Sequence, residues 1–247
     1  MLLSLKNMSK YSIEAKDGAI GHIDSFLFDE DKMNIRYIVV DTGKIIPGRK
    51  VLITPSAVTE IEPVSGLLSL EITTEQVKNS PDLDTHKPIS RQQEIELHKY
   101  YNWVPYWGGT FEPINTPRMT PEETQAILAE QNQDEEAPNF RSTREVRGYK
   151  IHSSDDELFG HIDDFIVQAD KWVVRYIVAD TRNILPGKQV LVAPDWIRNI
   201  DWAESRVDVD VSKEKIEGCP VFYPSTPVNR EYEIQLYDYY GRPAYWL

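Results

Sequence analysis

The chain has 247 residues, of which 40% are hydrophobic and 27% charged, values typical of a globular rather than a disordered protein. Its formal net charge of −13 argues against broad binding to nucleic-acid phosphates or to an anionic membrane face, since both need a surface rich in Lys and Arg. The single cysteine excludes an internal disulfide and is compatible with a reducing compartment.

The sequence also argues against a membrane span and an export signal. No apolar run approaches the ~20 residues that a transmembrane helix needs. The initial stretch MLLSLKNMSK has an apolar run too short for a secretory signal. We therefore expect a cytoplasmic protein with no direct nucleic-acid partner. Its oligomeric state, including a homo-oligomer, is left open by the sequence.

An internal repeat dominates the chain. The segment 21–42, GHIDSFLFDEDKMNIRYIVVDT, returns at 160–181 as GHIDDFIVQADKWVVRYIVADT. The offset of 139 residues between His22 and His161 then holds without a gap to the ends of both copies. Self-similarity at a fixed offset indicates a duplicated structural unit.

The repeat divides the chain into three parts. These are a first repeat at 1–107, an acidic, proline-rich linker at 108–139 and a second repeat at 140–247. Within the linker, Thr120 as the cap, Pro121 in the first turn and Glu123 as the closing residue of a capping box predict one short helix. A spacer is favoured over a helix that docks a partner.

Each repeat begins with short β-strands. Residues 20–28 and 35–41 are rich in Ile, Val, Phe and Tyr and are separated by a charged turn. Further strands are predicted at 50–54, 57–62 and 66–72, and in the second copy at 189–193, 196–201 and 205–211. Several short strands without βαβ alternation predict a mainly β fold, with each repeat a small antiparallel barrel or sandwich.

Helices follow the strands. Thr73 or Thr74 is expected to cap a one-turn helix over 75–78. A second helix begins near Ser90, which forms a capping box with Gln93, and its counterpart in the second repeat matches it. Each of these second helices leads into an aromatic tail.

The aromatic tails are the candidate partner-binding residues. They are Trp103, Tyr106, Trp107, Tyr245 and Trp246. Large amphipathic side chains of this kind are enriched in binding hot spots. The favoured interpretation is that each tail folds back over its own barrel or the sister barrel, which would make the two copies a pseudo-twofold intramolecular dimer.

Two polar pairs recur in the repeats. His22 with Asp24, and His161 with Asp163, are spaced so that both side chains leave a strand on one face. Such a pair could contribute to a metal site or a general base, but two ligands fall short of a site. The other histidines, among them His86, have no histidine counterpart. A structural role is favoured, and the sequence predicts no catalytic residue, cofactor or metal.

The remaining repeated polar residues also favour structural roles. Arg36 and Arg175 are expected to form ion pairs with carboxylates such as Asp24 and Asp163. Asp41-Thr42 and Asp180-Thr181 end a strand, where their side chains cap the following loop. Cys219 aligns with Ser80, so we interpret it as a small buried or turn residue rather than a reactive thiol.

The repeated unit resembles the PRC-barrel family. The matching motifs are Gly-His-Ile-Asp at 21–24 and 160–163, Arg-Tyr-Ile-Val at 36–39 and 175–178, and Pro-Gly at 47–48 and 186–187 followed by Val51–Pro55 and Val190–Pro194. That family includes the cytoplasmic domain of the photosynthetic reaction-centre H subunit and the C-terminal domain of a ribosome maturation factor. The resemblance implies small β-barrels, usually drawn with six strands, that act as adaptors or assembly surfaces without a common enzymatic activity.

Three functions are carried forward. The first is a non-enzymatic cytoplasmic adaptor or assembly module that binds a protein partner through its barrel surfaces. The second is a ribosome-associated, maturation-type factor that contacts a basic ribosomal protein, since the acidic balance disfavours direct RNA contact. The third is a metal-binding or small-molecule enzyme that uses His22 and His161.

Overall fold

The structure is a computed structural model that describes residues 1–43, 46–81, 88–107, 120–130, 139–181 and 188–247. The described residues form two seven-stranded sheets with short helices, which confirms a mainly β chain. His86, the Pro186-Gly187 motif and most of the linker lie outside the described residues.

The first repeat follows the predicted order of strands and then helices. Its elements and the linker helix are β1 (Leu2–Ser4), α1 (Leu5–Met8), β2 (Ser12–Ala15), β3 (Gly18–Asp29), β4 (Ile35–Asp41), β5 (Lys50–Ile53), β6 (Val58–Glu62), β7 (Leu67–Leu70), α2 (Thr74–Lys78), α3 (Arg91–Tyr101) and α4 (Pro121–Glu130). The five predicted strands and three predicted helices are confirmed, whereas β1, α1 and β2 were not predicted.

The second repeat has the same element order. Its elements are β8 (Phe140–Ser142), α5 (Thr143–Val146), β9 (Lys150–His152), β10 (Leu158–Gln168), β11 (Val173–Asp180), β12 (Gln189–Val192), β13 (Ile197–Asp201), β14 (Arg206–Val209), α6 (Lys213–Glu217) and α7 (Arg230–Tyr240). A 3₁₀ turn begins at Pro55 in the first repeat and at Pro194 in the second, where proline fits a first helical position.

The two sheets have matching strand orders. The first runs β5-β4-β3-β2-β7-β6 and the second β12-β11-β10-β9-β14-β13. In each, one neighbouring pair is parallel, β2 with β7 and β9 with β14. The prediction of wholly antiparallel strands is therefore wrong. Among the described residues the two end strands of each sheet do not pair with each other, so the pairings do not close a barrel.

The chain divides into two compact units that exchange their first strands. The first-repeat unit comprises Lys6–Ser142 with Asp170–Val173, and the second-repeat unit comprises Met1–Leu5, Thr143–Ala169 and Val174–Leu247. Strand β1 accordingly pairs with β10 inside the second-repeat unit, and β8 pairs with β3 inside the first-repeat unit. The units therefore depart from the repeat boundaries at these two strands and at Asp170–Val173.

The glycine of each Gly-His-Ile-Asp motif is required by a close backbone approach. A Cβ on Gly21 would lie 1.9 Å from the carbonyl oxygen of Asp41, and one on Gly160 would lie 2.6 Å from that of Asp180. Neither distance is compatible with a side chain. The repeated glycine thus lets β3 and β10 lie directly against the end of the next strand.

The helix signals are satisfied by the expected caps. Thr73 and Ser90 each form a complete capping box, with Gln76 and Gln93 respectively. In the linker, the Thr120 backbone N–H donates to the Glu123 carboxylate at 2.8 Å and the Thr120 hydroxyl accepts from the Glu123 N–H at 3.2 Å.

The linker helix packs within the first-repeat unit. Helix α4 contacts α3, and it buries Thr124 and Leu128, which lie one turn apart on the same face. This part of the linker is therefore held on its own unit along that face.

Candidate functional site

The aromatic tail of the first repeat converges on a buried glutamate. Glu94 of α3 is 0% exposed. Its Oε1 accepts hydrogen bonds from the Tyr37 hydroxyl at 2.7 Å and the Tyr106 hydroxyl at 2.9 Å, and its Oε2 accepts from Arg91 at 2.7 Å. We call these four residues the first glutamate cluster. It joins strand β4, helix α3 and the tail.

The second repeat builds the same arrangement. Glu233 of α7 is 2% exposed and accepts from the hydroxyls of Tyr176 at 2.8 Å and Tyr245 at 2.9 Å. Arg230 lies 3.1 Å from its other oxygen. These four residues form the second glutamate cluster. Every member is the sister of a member of the first cluster at the same offset of 139.

Two arginines hold each tail by its aromatic rings. In the first repeat, Arg36 lies 4.2 Å from the ring centre of Tyr106, and Arg91 lies 4.2 Å from that of Trp107. Cation–π contacts at partly desolvated sites contribute about 0.5–2 kcal/mol each.

The second repeat repeats both contacts. Arg175 lies 4.1 Å from the ring centre of Tyr245, and Arg230 lies 3.9 Å from that of Trp246. The candidate partner-binding residues Tyr106, Trp107, Tyr245 and Trp246 therefore contact their own repeat. Trp103 is 8% exposed and stacks on Tyr101 with ring centres 4.0 Å apart.

Burial controls the protonation of the first cluster. It raises the pKa of Glu94, although the hydrogen bonds from Tyr37 and Tyr106 and the charge of Arg91 oppose that shift. Burial also raises the pKa of both tyrosines, so their hydroxyls remain donors at neutral pH. In the second repeat, burial raises the pKa of Tyr245 to about 12.

The cluster is suited to holding structure together rather than to reacting with a substrate. Both oxygens of Glu94 are occupied by donors from the fold, and the carboxylate has no exposure. A general acid or base must come within hydrogen-bond reach of the group that it protonates or deprotonates. A buried carboxylate that accepts three hydrogen bonds also avoids the cost of an unpaired buried charge.

A histidine borders only the first cluster. His98 is 1% exposed, its Nε2 lies 3.2 Å from the Tyr37 hydroxyl, and its Nδ1 lies 3.2 Å from the Trp103 carbonyl oxygen. The carbonyl favours the tautomer that carries its proton on Nδ1. Burial lowers the pKa of His98 to about 4, so the ring is neutral at physiological pH. Its sister residue is Tyr237.

His22 and Asp24 have different partners. The His22 side chain is 61% exposed and its Nε2 lies 4.0 Å from Asp41, whereas Asp24 lies 2.9 Å from Lys50 Nζ. The register of β3 against β4 shifts between Ile23 and Ser25, so Asp24 is the extra residue of a β-bulge. Asp41 pairs with His22 on one side and with Lys50 on the other, so the partners of the two side chains are cross-strand neighbours on one face of the sheet.

The second predicted pair has a matching arrangement. Asp163 accepts a hydrogen bond from Gln189 Nε2 at 3.0 Å, and Gln189 is the sister of Lys50. His161 is half-buried. Within the described parts of the chain, no group of three or more His, Cys, Asp or Glu side chains is arranged to hold a metal ion.

Asp24 and Asp163 are not the partners of the repeated arginines. Arg36 Nε instead donates to Asp29 at 2.7 Å, and Arg175 Nε donates to Gln168 at 2.8 Å. Asp29 and Gln168 are the last residues of β3 and β10, five positions after Asp24 and Asp163. The pairing of Leu27 with Tyr37 and of Phe28 with Ile35 places Arg36 beside that end of β3.

The loop caps and the cysteine have the predicted roles. The Thr42 hydroxyl donates to the Arg49 carbonyl at 2.8 Å, and the Thr181 hydroxyl donates to the Lys188 carbonyl at 2.9 Å. Cys219 is buried, and burial raises the pKa of its thiol, as expected for a packing residue.

Sequence reasoning missed the glutamate clusters as sites. The signal was present, because Glu94 and Glu233 recur at the same offset on the apolar face of a helix, where Leu97 and Leu236 also lie. A charged residue on a buried helix face requires partners. Pairing those glutamates with the repeated tyrosines of the Arg-Tyr-Ile-Val motifs would have predicted the contact.

Comparison with known proteins does not assign the chain to a family. No protein-family model matches it, and no curated protein matches it at a significant level. None of the helices in the described part of the chain combines the length and apolar character needed to cross a bilayer.

Proposed function

We propose that this chain is a tandem PRC-barrel-type adaptor, a non-enzymatic cytoplasmic module that binds a protein partner through the outer surfaces of its two β units. The observation that carries the proposal is the repeated glutamate cluster. In both repeats the glutamate at the centre of the cluster is buried and accepts hydrogen bonds from the fold itself. The outer surfaces are then the part of the unit that remains for recognition.

The tail geometry supports the same proposal. Tyr106 and Tyr245 each bind a buried glutamate of their own repeat, so the tails complete the units instead of extending from them. A rigid, completed unit suits a scaffold, because little ordering of the binding surface is needed when a partner docks.

The motifs behind the resemblance have structural roles that suit a shared framework. Gly21 permits a close strand approach, Tyr37 of the Arg-Tyr-Ile-Val motif binds Glu94, and Pro55 begins a 3₁₀ turn. Each role recurs in the second repeat. A family whose members keep such residues would share a fold rather than an activity, which is the pattern that the PRC-barrel resemblance implies.

The test is reconstitution of a defined complex. The intact chain would be used to capture partners from its native cell extract, and each captured protein would be purified and mixed with the chain. The expected result is a stoichiometric complex in size-exclusion chromatography with micromolar or tighter affinity. The proposal fails if no captured protein re-forms a complex from pure components.

A paired variant separates this proposal from the enzyme alternative. His22→Ala with His161→Ala changes the histidines on which that alternative depends, at one exposed and one half-buried position. Complex formation is expected to be unchanged. Loss of binding together with bound metal in elemental analysis of the parent chain would favour the enzyme. Co-sedimentation of the intact chain with ribosomes would favour the ribosomal factor instead.

A further inference from the structure

Helices α3 and α7 occupy sister positions but differ in what covers them. Ile95 of α3 is 0% exposed, whereas its sister Ile234 on α7 is 45% exposed. One turn earlier the contrast recurs, because the Arg91 side chain is 7% exposed and that of Arg230 is 49% exposed. Residues four apart lie on one helix face, so the same face is covered in the first repeat and open in the second.

The linker helix packs on α3 and has no counterpart in the described part of the second repeat. Helix α4 packs against α3, with Thr124 and Leu128 buried on its inner face. Among the described residues of the second-repeat unit, no helix packs in the same way against α7. Because a helix packs on α3, a helix is the kind of ligand that we expect on its sister α7.

The exposed charges beside this face differ between α3 and α7, and the difference determines which charge on a docked helix is favoured. The exposed positions Gln92 and Lys99 of α3 become Glu231 and Asp238 on α7. The exchange of Glu96 for Gln235 removes one acidic residue, so these three exposed positions carry a net charge of zero on α3 and −2 on α7. The exposed Arg230 does not offset this difference, because it is paired with Glu233 as Arg91 is paired with Glu94.

An acidic helix fits the first face but not the second. Helix α4 carries Glu122 and Glu123 in its first turn and no basic residue in its last turn. Beside Lys99 such a helix is tolerated, whereas beside Glu231 and Asp238 it would be repelled. Opposite charges steer and stabilise a docked partner, and like charges exclude it.

We propose that the Ile234 face of α7 is the partner-binding surface of this protein, and that its ligand is a basic amphipathic helix from the partner. The ligand helix presents two small or aliphatic residues four positions apart, as Thr124 and Leu128 do on α4, with Lys or Arg beside them. Helix-in-groove recognition uses this spacing of anchors. The inference rests on the proposed adaptor function and names the surface and the chemistry of the partner.

Designed peptides test the surface without a known partner. Two labelled peptides would carry the sequence of residues 120–130, each extended by alanine-rich turns because short helices are marginal in water. One keeps the native charges. The other carries Glu122→Lys, Gln125→Lys and Ala129→Lys, all at exposed positions of α4. Binding to the intact chain would be followed by fluorescence anisotropy at physiological salt.

The expected result is that the basic peptide binds at least tenfold more tightly than the native-charge peptide. Ile234→Ser should weaken the basic peptide at least tenfold without altering the net charge. Val64→Ser is the matched control, because Val64 is a fully exposed apolar residue of the first-repeat unit, and it should change nothing. A scrambled peptide with the same composition should bind at least tenfold more weakly than the basic peptide.

A charge exchange gives the sharpest test. Glu231→Gln with Asp238→Lys gives α7 the residues that α3 has at those positions, and it should shift the preference towards the native-charge peptide. The proposal is overturned if the basic peptide binds Ile234→Ser as well as the parent, if the scrambled peptide binds equally, or if no peptide binds.

The failure of this inference can be told from failure of the adaptor function. If a reconstituted partner complex survives Ile234→Ser undiminished, the adaptor function stands and the α7 surface is the wrong one. If the peptides behave as expected but no partner complex can be reconstituted, the surface stands and the adaptor function fails.

Discussion

Around Glu94 the first repeat places His98, where the second repeat places Tyr237 around Glu233. The carboxylate, its two tyrosine donors and its arginine are the same in both. The neighbouring ring is therefore an imidazole in the first repeat and a phenol in the second, whereas the hydrogen bonds to the glutamate are the same. The comparison indicates that the contacts of the centre, and not the chemistry of its border, are what each unit needs.

Two further pairs show the same separation of geometry from charge. The Lys50–Asp24 ion pair becomes a Gln189–Asp163 hydrogen bond. The Arg36–Asp29 ion pair becomes an Arg175–Gln168 hydrogen bond. In each case the contact is kept and one charge is lost. The hydrogen bond, rather than the ion pair, is therefore what the two repeats have in common at both places.

The largest effect is expected at the motif glycines. In Gly21→Ala the new Cβ would meet a backbone oxygen at 1.9 Å, so strand β4 must move and the first-repeat unit should lose on the order of 5 kcal/mol or fail to fold. Gly160→Ala, with 2.6 Å available, should be less damaging. Thermal unfolding of both variants measures the difference.

A control separates crowding from the general effect of replacing glycine. Gly48 has a φ of +78° and open space around its Cβ position, so Gly48→Ala should cost only about 1–2 kcal/mol. If Gly21→Ala proves no worse than Gly48→Ala, the close approach of β3 and β4 is not a constraint.

The next largest effect is expected at the two tryptophans that cover sister tyrosines, because they come from different elements in the two repeats. Tyr101 is covered by Trp103 from the tail, whereas its sister Tyr240 is covered by Trp196 from the 3₁₀ turn, with ring centres 4.6 Å apart. Trp103→Ala and Trp196→Ala should each cost about 3–5 kcal/mol, because both rings are buried.

The location of the damage is the informative readout. Hydrogen exchange followed by mass spectrometry should show loss of protection in α3 for Trp103→Ala and in α7 for Trp196→Ala. Equal loss in both helices from either variant would contradict two separately packed units.

The strand exchange predicts that removal of β1 affects β10, whereas the repeat boundaries would predict an effect on β3. Deleting residues 2–4 removes strand β1, which pairs with β10 of the second-repeat unit. Protection should therefore fall in β10, more than 150 residues away in sequence, and stay unchanged in β3. The cost is expected to be about 3 kcal/mol, since all three residues of β1 pair with β10 and each lost hydrogen bond costs about one net kcal/mol. Loss of protection in β3 instead would refute the exchange.

Much of the fold was predictable from local signals, but the exchange and the site were not. Strand and helix positions follow from alternation, turn residues and capping boxes such as Ser90 with Gln93, all of which act within a few residues. Strand exchange is invisible to such signals, because β1 and β8 are sister strands and either long strand offers each the same backbone edge. Choosing between them needs the three-dimensional path of the chain.

Two features of the site were also beyond the reach of local sequence signals. The bulge at Asp24 was not predicted, because the sequence of one strand does not show where an extra residue enters the pairing. The glutamate cluster depends on Tyr37, Glu94 and Tyr106 meeting from three elements. Their separation along the chain carries no periodic signal, although their joint recurrence at one offset does.

A smaller effect is expected when the strand tyrosines lose their hydroxyls. Tyr37→Phe and Tyr176→Phe each remove a donor to a buried glutamate and should cost about 1.5–3 kcal/mol. The two costs should be similar, because the single proton of each tyrosine hydroxyl is donated to the glutamate and His98 Nε2 receives none from Tyr37. Chemical denaturation measures both, and Tyr100→Phe, which loses one exposed hydrogen bond to Gln76, is the control.

The smallest effect on stability at neutral pH is expected from the titration of His98, and it grows as the pH falls. Because burial lowers the pKa of His98 from 6.5 to about 4, the unfolded chain binds a proton in this range that the folded chain does not. The stability of the first-repeat unit should therefore fall as pH drops below 6.5, by about 2 kcal/mol between pH 7 and pH 5. The second-repeat unit, with Tyr237 in that place, lacks this contribution.

Glu94 acts in the opposite direction and must be separated. Burial raises its pKa, so proton uptake by the folded state favours folding as the pH falls and offsets part of the loss from His98. The variant His98→Gln removes the histidine and leaves the glutamate. Its stability between pH 7 and pH 5, read from hydrogen exchange in α3, should fall less steeply than in the parent chain or rise. An unchanged slope would mean that His98 does not titrate on unfolding, and the change from His98 to Tyr237 would then have no electrostatic consequence.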